Sequence, residues 1–467
     1  MQLSPDSASA ASLPNSVEAR DIAYLLHPYT DPKKLAENGP LVIEKGEGVH
    51  VVDSLGRRYI EAMSGLWSVG LGFSERRLAE VAYQQMLHLP YSHIFAGRSH
   101  GPAVDLAEKL VAMAPGQMQR AFFTNSGSEA NDTALKLLWY RANAMGEPGR
   151  KKIISRHGAY HGTTVAASSL TGLSVNHRSF DLVVPDVIHL TMPHHYRQAV
   201  AGESEEAFAE RLAAELERAI LDAGPDSVCA MFGEPLMGAA GVIVPPATYW
   251  ERVQEVLRRH GILLVVDEVI TGFGRTGSMF GCETFGITPD VLVLSKQLSS
   301  SYLPISAMLM NARVAGPVED ESGRLGVLGH GFTASAHPVC SRVALENIAI
   351  IEERDLVDNA RRMGQRLHDG LAALGEHPLV GEVRGTGLIG ALELVTDKAA
   401  KTALARPGQL AEHAQRRLLA NGVISRSIGD AQCFCPPLII SASEIDDLLA
   451  RVRKALDETA ADVGLKA

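Results

Sequence analysis

Between residues 121 and 310 the chain repeats one pattern, a short apolar run and then a longer polar or amphipathic stretch. That alternation leaves few folds open. The runs fall at residues 121–124, 152–155, 187–190, 228–232, 262–266, 291–294 and 307–310. Residues 205–223 carry Phe208, Leu212, Leu216 and Ile220 at helical spacing, and 248–260 form a second amphipathic stretch. Such β-α-β alternation predicts a mostly parallel sheet covered by helices on both faces. The flanks read differently. Residues 48–62 predict a hairpin turning at Asp53-Ser-Leu-Gly56, 381–395 predict strands, and 408–419 and 444–459 predict amphipathic helices, the last capped by Ser443. The expected organisation is an N-terminal arm (1–40), a first part of a small α+β domain (41–75), a large domain (76–335) and the rest of the small domain (336–467). The arm's first twenty residues are small and polar, and the arm is expected to be mobile unless a partner subunit orders it.

Charge and cysteine usage exclude several classes. A formal net charge of −10 repels phosphate backbones, which argues against nucleic acid as a partner. The longest apolar runs fall far short of the roughly 20 residues that cross a bilayer, so no membrane partner is expected. Cys229, Cys282, Cys340, Cys433 and Cys435 show no C-x-x-C spacing and no disulfide framework. A reducing compartment fits, as does the absence of a basic and then apolar leader in the first twenty residues. The expectation is a cytoplasmic protein.

Gly272-Phe-Gly274-Arg-Thr-Gly277 matches the dinucleotide fingerprint G-x-G-x-x-G and follows an apolar run. That fingerprint must open a helix. Residues 278–289 hold Gly281, Gly286 and Pro289 and carry no helical stripe, so the glycines are read as a loop at the edge of the sheet.

Two strand-end residues carry the chemistry. Asp267 follows one buried run and Lys296 the next, and open α/β sheets bind ligands at those carboxyl ends. A desolvated lysine has a lowered pKa and forms imines with carbonyls. Pyridoxal phosphate needs such a lysine for its aldehyde and an acid for its ring nitrogen. A third element, Thr124-Asn-Ser-Gly-Ser-Glu-Ala-Asn131, lies between a predicted strand and a helix. Ser126 and Glu129 have capping-box spacing, and Gly127 and Ser128 at a helix N-terminus suit an anion such as phosphate. In Gly158-Ala-Tyr-His-Gly162, Tyr160 can lie flat on a ring. His161 is either a base or a packed, hydrogen-bonded histidine. His194-His195 shows no metal spacing and is read as structural.

Together, NSGSEAND, GAYHG, EPLMGAAG, VVDEVITGFGRTG, LSKQLSSSY and GHGFTASAHP, in this order along the chain, resemble the class III aminotransferases of fold type I, and most closely the ω-amino-acid and amine:pyruvate transaminases. The resemblance spans residues 41–456. It implies an α/β fold whose large domain holds a mainly parallel seven-stranded sheet, with a small domain drawn from both chain ends. It further implies a homodimer with shared active sites, pairing into tetramers being left open, and pyridoxal 5′-phosphate as cofactor.

By position, the resemblance makes Lys296 the Schiff-base lysine and Asp267 the partner of the ring nitrogen. Gly127 and Ser128 would hold the phosphate, completed by Phe332 and Thr333 across the subunit interface. Tyr160 and Val269 would cover the two ring faces, with His161 and Glu234 supporting the Asp267 side. Trp67, Phe95, Tyr160 and Ala239 would line the substrate pocket. The EPLMGAAG segment holds no second acid, which resembles the pyruvate-using branch, and Arg426 would be that branch's mobile carboxylate clamp. The expected reaction is ping-pong transfer of an amino group from an ω-amino acid or primary amine to pyruvate. A 2-oxoglutarate-using transaminase and a same-fold aminomutase or decarboxylase are the alternatives. Gln297, Met237 and Ala334 depart from the residues common among such relatives and leave the amino donor open.

Overall fold

Seven strands form the central sheet of the computed structural model, which describes residues 13, 15–182, 184 and 186–465. Numbering from the N-terminal strands β1 (Ile43–Glu47), β2 (His50–Asp53) and β3 (Arg58–Glu61), they are β4 (Met118–Thr124), β5 (Lys152–Arg156), β6 (Val187–Leu190), β7 (Val228–Gly233), β8 (Leu263–Asp267), β9 (Val291–Leu294) and β10 (Ser306–Asn311). Their spatial order is β4-β10-β9-β8-β7-β5-β6. Strands β9, β8, β7, β5 and β6 pair in parallel, and β10 runs antiparallel to both its neighbours. The sheet is therefore mixed by one strand. Strands β7, β8 and β9 are buried along their whole length, as expected of strands covered on both faces.

The chain ends meet in smaller sheets. The C-terminal strands are β11 (Val380–Thr386), β12 (Ile389–Leu394), β13 (Val423–Ile424), β14 (Arg426–Ile428) and β15 (Ala431–Phe434). Strand β13 adds parallel to β3, so residues 43–61 share a sheet with 423–424. The hairpin β14–β15 pairs onto β12 and registers Arg426 against Cys433.

Two local expectations change. The final helix spans Ala442–Asp462, and its cap is Ser441, not Ser443. Ser441 Oγ accepts from the Glu444 N–H and Glu444 returns to the Ser441 N–H, a complete capping box that starts the helix two residues earlier. Of the expected arm, residues 1–12 and 14 lie outside the described residues. The rest is folded. Helices Val17–Tyr24 and Pro32–Asn38 are capped by Ser16 and Asp31, Ser54 donates to Glu18, and Asn176 donates to the Tyr29 hydroxyl. Short-range polarity hid these contacts because their partners lie far along the chain.

Candidate active site

The carboxyl ends of β4, β7, β8 and β9 open into a cavity of about 360 Å³. Its lining includes Gly127, Ser128, Asn131, Tyr160, His161, Glu234, Asp267, Val269 and Lys296. Eight of these nine were expected from the sequence.

Asp267 is the last residue of β8 and is buried. Its Oδ2 accepts from Asn131 Nδ2 at 2.9 Å and lies 2.9 Å from His161 Nδ1, and its Oδ1 accepts from the Val269 N–H at 3.1 Å. Three hydrogen-bonding contacts fix the side chain in one orientation at the cavity floor. His161 is thus the packed, hydrogen-bonded histidine of the two readings. Its ring also meets Phe232 edge-on, and Asn131 donates to its backbone carbonyl.

Lys296 follows β9 and takes a left-handed backbone, φ 47°. Burial brings its amine down to about 8, while Asp267 pulls the other way. A neutral, nucleophilic lysine is therefore available near physiological pH.

The opposite end of the cavity is the N-terminus of the helix Gly127–Ala144. Ser126 Oγ accepts from the Glu129 N–H at 3.2 Å, but Glu129 returns its bond to the N–H of Asn125 at 2.7 Å. The capping box is therefore displaced by one residue. Gly127 lacks the Cβ that would sit 3.1 Å from Val269 Cγ2, and Gly162 the one that would sit 2.5 Å from Ser128 Oγ. Free helix-terminal N–H groups in so close a cradle suit a phosphate.

Tyr160 forms one side. Burial, then the neighbouring Tyr29, raises its phenol well above the ordinary range, so it stays protonated. Glu234 Oε1 accepts from the Tyr160 N–H at 3.3 Å, and Arg156 Nη2 donates to the Glu234 carbonyl at 2.8 Å and lies 3.3 Å from Oε2. Burial pushes the Glu234 carboxyl up, opposed by His161 and Arg156. A lysine, a fixed acid and an anion cradle around one flat-walled cavity fit a pyridine ring bearing an aldehyde and a phosphate.

The other expected residues lie elsewhere. Trp67 is buried in an apolar cluster with Leu236 and Ile270, and only Ile270 reaches the cavity lining. Ala239 sits in the turn after β7. Phe95 is largely exposed, and its ring abuts Gly331; the Tyr91 hydroxyl donates to the Thr333 carbonyl at 2.8 Å. Phe95, Phe332 and Thr333 thus form one surface away from this chain's own cavity. Arg426 does not line the cavity, yet its charge acts on both Tyr160 and Lys296.

Sequence reasoning missed Asn131, Tyr29, Arg156 and the wall formed by Ser299, Ser301 and Leu303–Ile305. Asn131, four positions after Gly127 and so on the same helix face, was the one legible signal. His194 and His195 are structural as read: His194 Nε2 lies 2.8 Å from Glu382, and His195 bonds the Glu203 carbonyl. With Glu393 the first pair could gather round an ion, but Arg384 and Arg197 already neutralise both carboxylates.

Comparison with known proteins agrees with this geometry. The chain is 44% identical to γ-aminobutyrate transaminase 1 of Solanum lycopersicum over 93% of its own length and 85% of the relative's. It is also 44% identical to vanillin aminotransferase of Capsicum annuum over 90% and 92%. Among solved structures, an omega transaminase of Pseudomonas jessenii in complex with PMP superposes with a TM-score of 0.95 at 56% identity, covering 96% of this chain and 99% of that one. A thermostable omega transaminase variant with a tryptophan replaced by glycine, engineered for asymmetric synthesis of enantiopure bulky amines, gives the same TM-score and identity over 96% and 100%. The model of the family "Aminotransferase class-III" matches residues 33–456, and with a lysine, an oriented aspartate and a phosphate cradle around one cavity, the chain belongs to the pyridoxal-phosphate-dependent class III aminotransferases.

Proposed function

We propose that the protein transfers the amino group of an ω-amino acid or primary amine to pyruvate in two half-reactions, as a homodimer with shared active sites. The observation that carries the acceptor is Arg426. It is half-buried at the start of β14, and its side chain has no ion-pair or hydrogen-bond partner among the described residues. Its charge nonetheless acts on Tyr160 and Lys296. A guanidinium without a carboxylate, so close to the reacting lysine, suits the carboxylate of a small keto acid. Without a partner to hold it, the arginine would swing aside for donors that lack a carboxylate.

Pyridoxal phosphate supplies a carbonyl carbon that takes up the amine and a ring that accepts electrons. The Lys296 amine, neutral above pH about 8, takes the proton from the donor's amine-bearing carbon and returns one in the second half-reaction. The Asp267 oxygens hold positive charge at the far end of the cavity. The N–H groups at Gly127 and Ser128 bind the phosphate, and Tyr160 and Val269 close the two faces.

Relatives named for γ-aminobutyrate, vanillin and omega transamination support a donor whose amine is remote from any carboxylate. The homodimer is supported by the position of Phe95, Phe332 and Thr333, together on the surface rather than in this chain's own cavity. A reducing cytoplasm is supported by five unpaired, buried thiols.

The test is a donor panel offered with pyruvate or with 2-oxoglutarate, followed by amino-acid analysis. Alanine from pyruvate is the expected product; glutamate in its place means a 2-oxoglutarate enzyme. Arg426→Ala should raise the KM for pyruvate by about tenfold or more, with little change for an uncharged amine. Equal effects on both would remove the clamp.

A further inference from the structure

The segment joining β3 to the apolar cluster behind the cavity bends sharply. Ser64, Gly65 and Trp67 stand at φ 49°, 64° and 64°. Two of the three are not glycine, and side chains hold such backbone only where the surroundings fix it. Here the fixing group is Glu61, the last residue of β3. Its Oε1 accepts from the Met63 N–H at 3.3 Å, and its Oε2 accepts a short hydrogen bond from the Gly65 N–H.

Glu61 is buried, at 4% exposure, and has no ion-pair partner among the described residues. Burial lifts its carboxyl to about 7, against the pull of the two N–H groups. An unpaired carboxylate is a costly group to bury, and both its bonds go to the bend.

A second clamp holds the same bend. Ser64 Oγ donates to the Cys435 carbonyl at 2.7 Å, and Arg275 Nη2 donates to Ser64 Oγ at 3.2 Å. Arg275, fully buried, also donates to Gln297 Oε1 at 3.2 Å and to the Pro436 carbonyl at 2.6 Å. Gln297, the departure next to Lys296, fills the space that a Cβ at Gly70 would occupy. The outcome of the bend is the placement of Trp67, whose indole shares a cluster with Ile270 on the cavity wall.

We propose that Glu61 is a positioning residue that sets the donor range, holding Trp67 behind Ile270 through the bend at 63–67. The proposal rests on the donor reading above: a primary amine with a bulky aryl group fills more of the cavity, whose lining includes Ile270. Without the carboxylate only the Ser64 clamp holds the bend, and the indole shifts within its cluster. A compact donor such as alanine has less side chain to meet that wall.

The experiment uses holoenzyme of wild type, Glu61→Gln and Glu61→Ala. The half-reaction with alanine and with 1-phenylethylamine is followed by cofactor absorbance, beside cofactor content and Tm. In Glu61→Gln the half-saturating concentration of the arylalkylamine should rise about tenfold while that of alanine and both limiting rates stay within about twofold. A merely structural role lowers Tm and moves both donors together, and that result, or no shift in either, overturns the proposal. Should Glu61→Ala fail to fold, Glu61→Gln decides alone. A wild type inert to both amines overturns the donor reading and the proposal with it; an active wild type with an unsplit Glu61→Gln variant overturns only the role of Glu61.

Discussion

His161 Nδ1 lies 2.9 Å from Asp267 Oδ2, the oxygen that also accepts from Asn131 Nδ2. Two side chains from separate segments thus converge on one oxygen of a buried carboxylate. The arrangement fixes the orientation of that side chain at the end of β8.

Asp267→Asn keeps the shape but removes the charge and sets an amide against both donors. The kcat/KM of the variant should fall by about a hundredfold or more. His161→Phe removes one hydrogen bond from the Asp267 side chain and leaves the carboxyl group itself in place, and a loss of about tenfold is expected. Steady-state kinetics on both variants checks the order. An Asp267→Asn enzyme with wild-type rates would take the carboxylate out of the chemistry.

Lys296 gives a pH dependence whose sign is fixed. The neutral amine is the nucleophile, and burial has moved its pKa from 10.5 down to about 8. The rate at which apoprotein takes up pyridoxal phosphate should therefore climb with pH through about 8 and then level off. Stopped-flow absorbance across this range reads it. A rate still climbing toward the pKa of an ordinary lysine would show that burial does not tune the amine.

Gly162, at φ 135°, leaves no room for a Cβ, which would meet Ser128 Oγ at 2.5 Å and Ser128 Cα at 2.8 Å. Gly162→Ala should push the first helical turn out of place and weaken cofactor affinity by about tenfold. At Gly146, φ 75°, nothing lies within 4 Å, and Gly146→Ala should leave affinity unchanged. Cofactor titration of the two apoproteins separates a crowded phosphate cradle from general backbone strain.

Arg156 is buried between Glu234 and the ring of Trp250, 5.2 Å from its centroid. Arg156→Met leaves Glu234 unpaired and should lower stability by about 3–5 kcal/mol. Adding Glu234→Gln should restore part of that loss, because the stranded charge is then gone. Urea unfolding of the single and double variants measures the coupling.

The sequence by itself determined the seven strands of the central sheet, several of the helices between them and the placing of Asp267 and Lys296 at strand ends. Periodicity reports local hydrogen bonding and burial, and these are set within a few residues. It also exposed the G-x-G-x-x-G segment as a loop, which the structure bears out: residues 269–276 are turns and 277–280 bends, and the following helix, Gly281–Phe285, is short.

Only the tertiary structure decided which distant groups meet. It alone brought His161 to Asp267, Tyr29 to Tyr160 and Ser64 to Arg275. It turned Phe95 away from this chain's cavity and Glu61 toward the bend that carries Trp67. Those contacts depend on strand order and on how the segments pack, and no local pattern encodes the distance between residues a hundred positions apart. Even the cap of the last helix moved from Ser443 to Ser441, because both serines satisfy local propensity and only Ser441 completes the reciprocal bonds with Glu444.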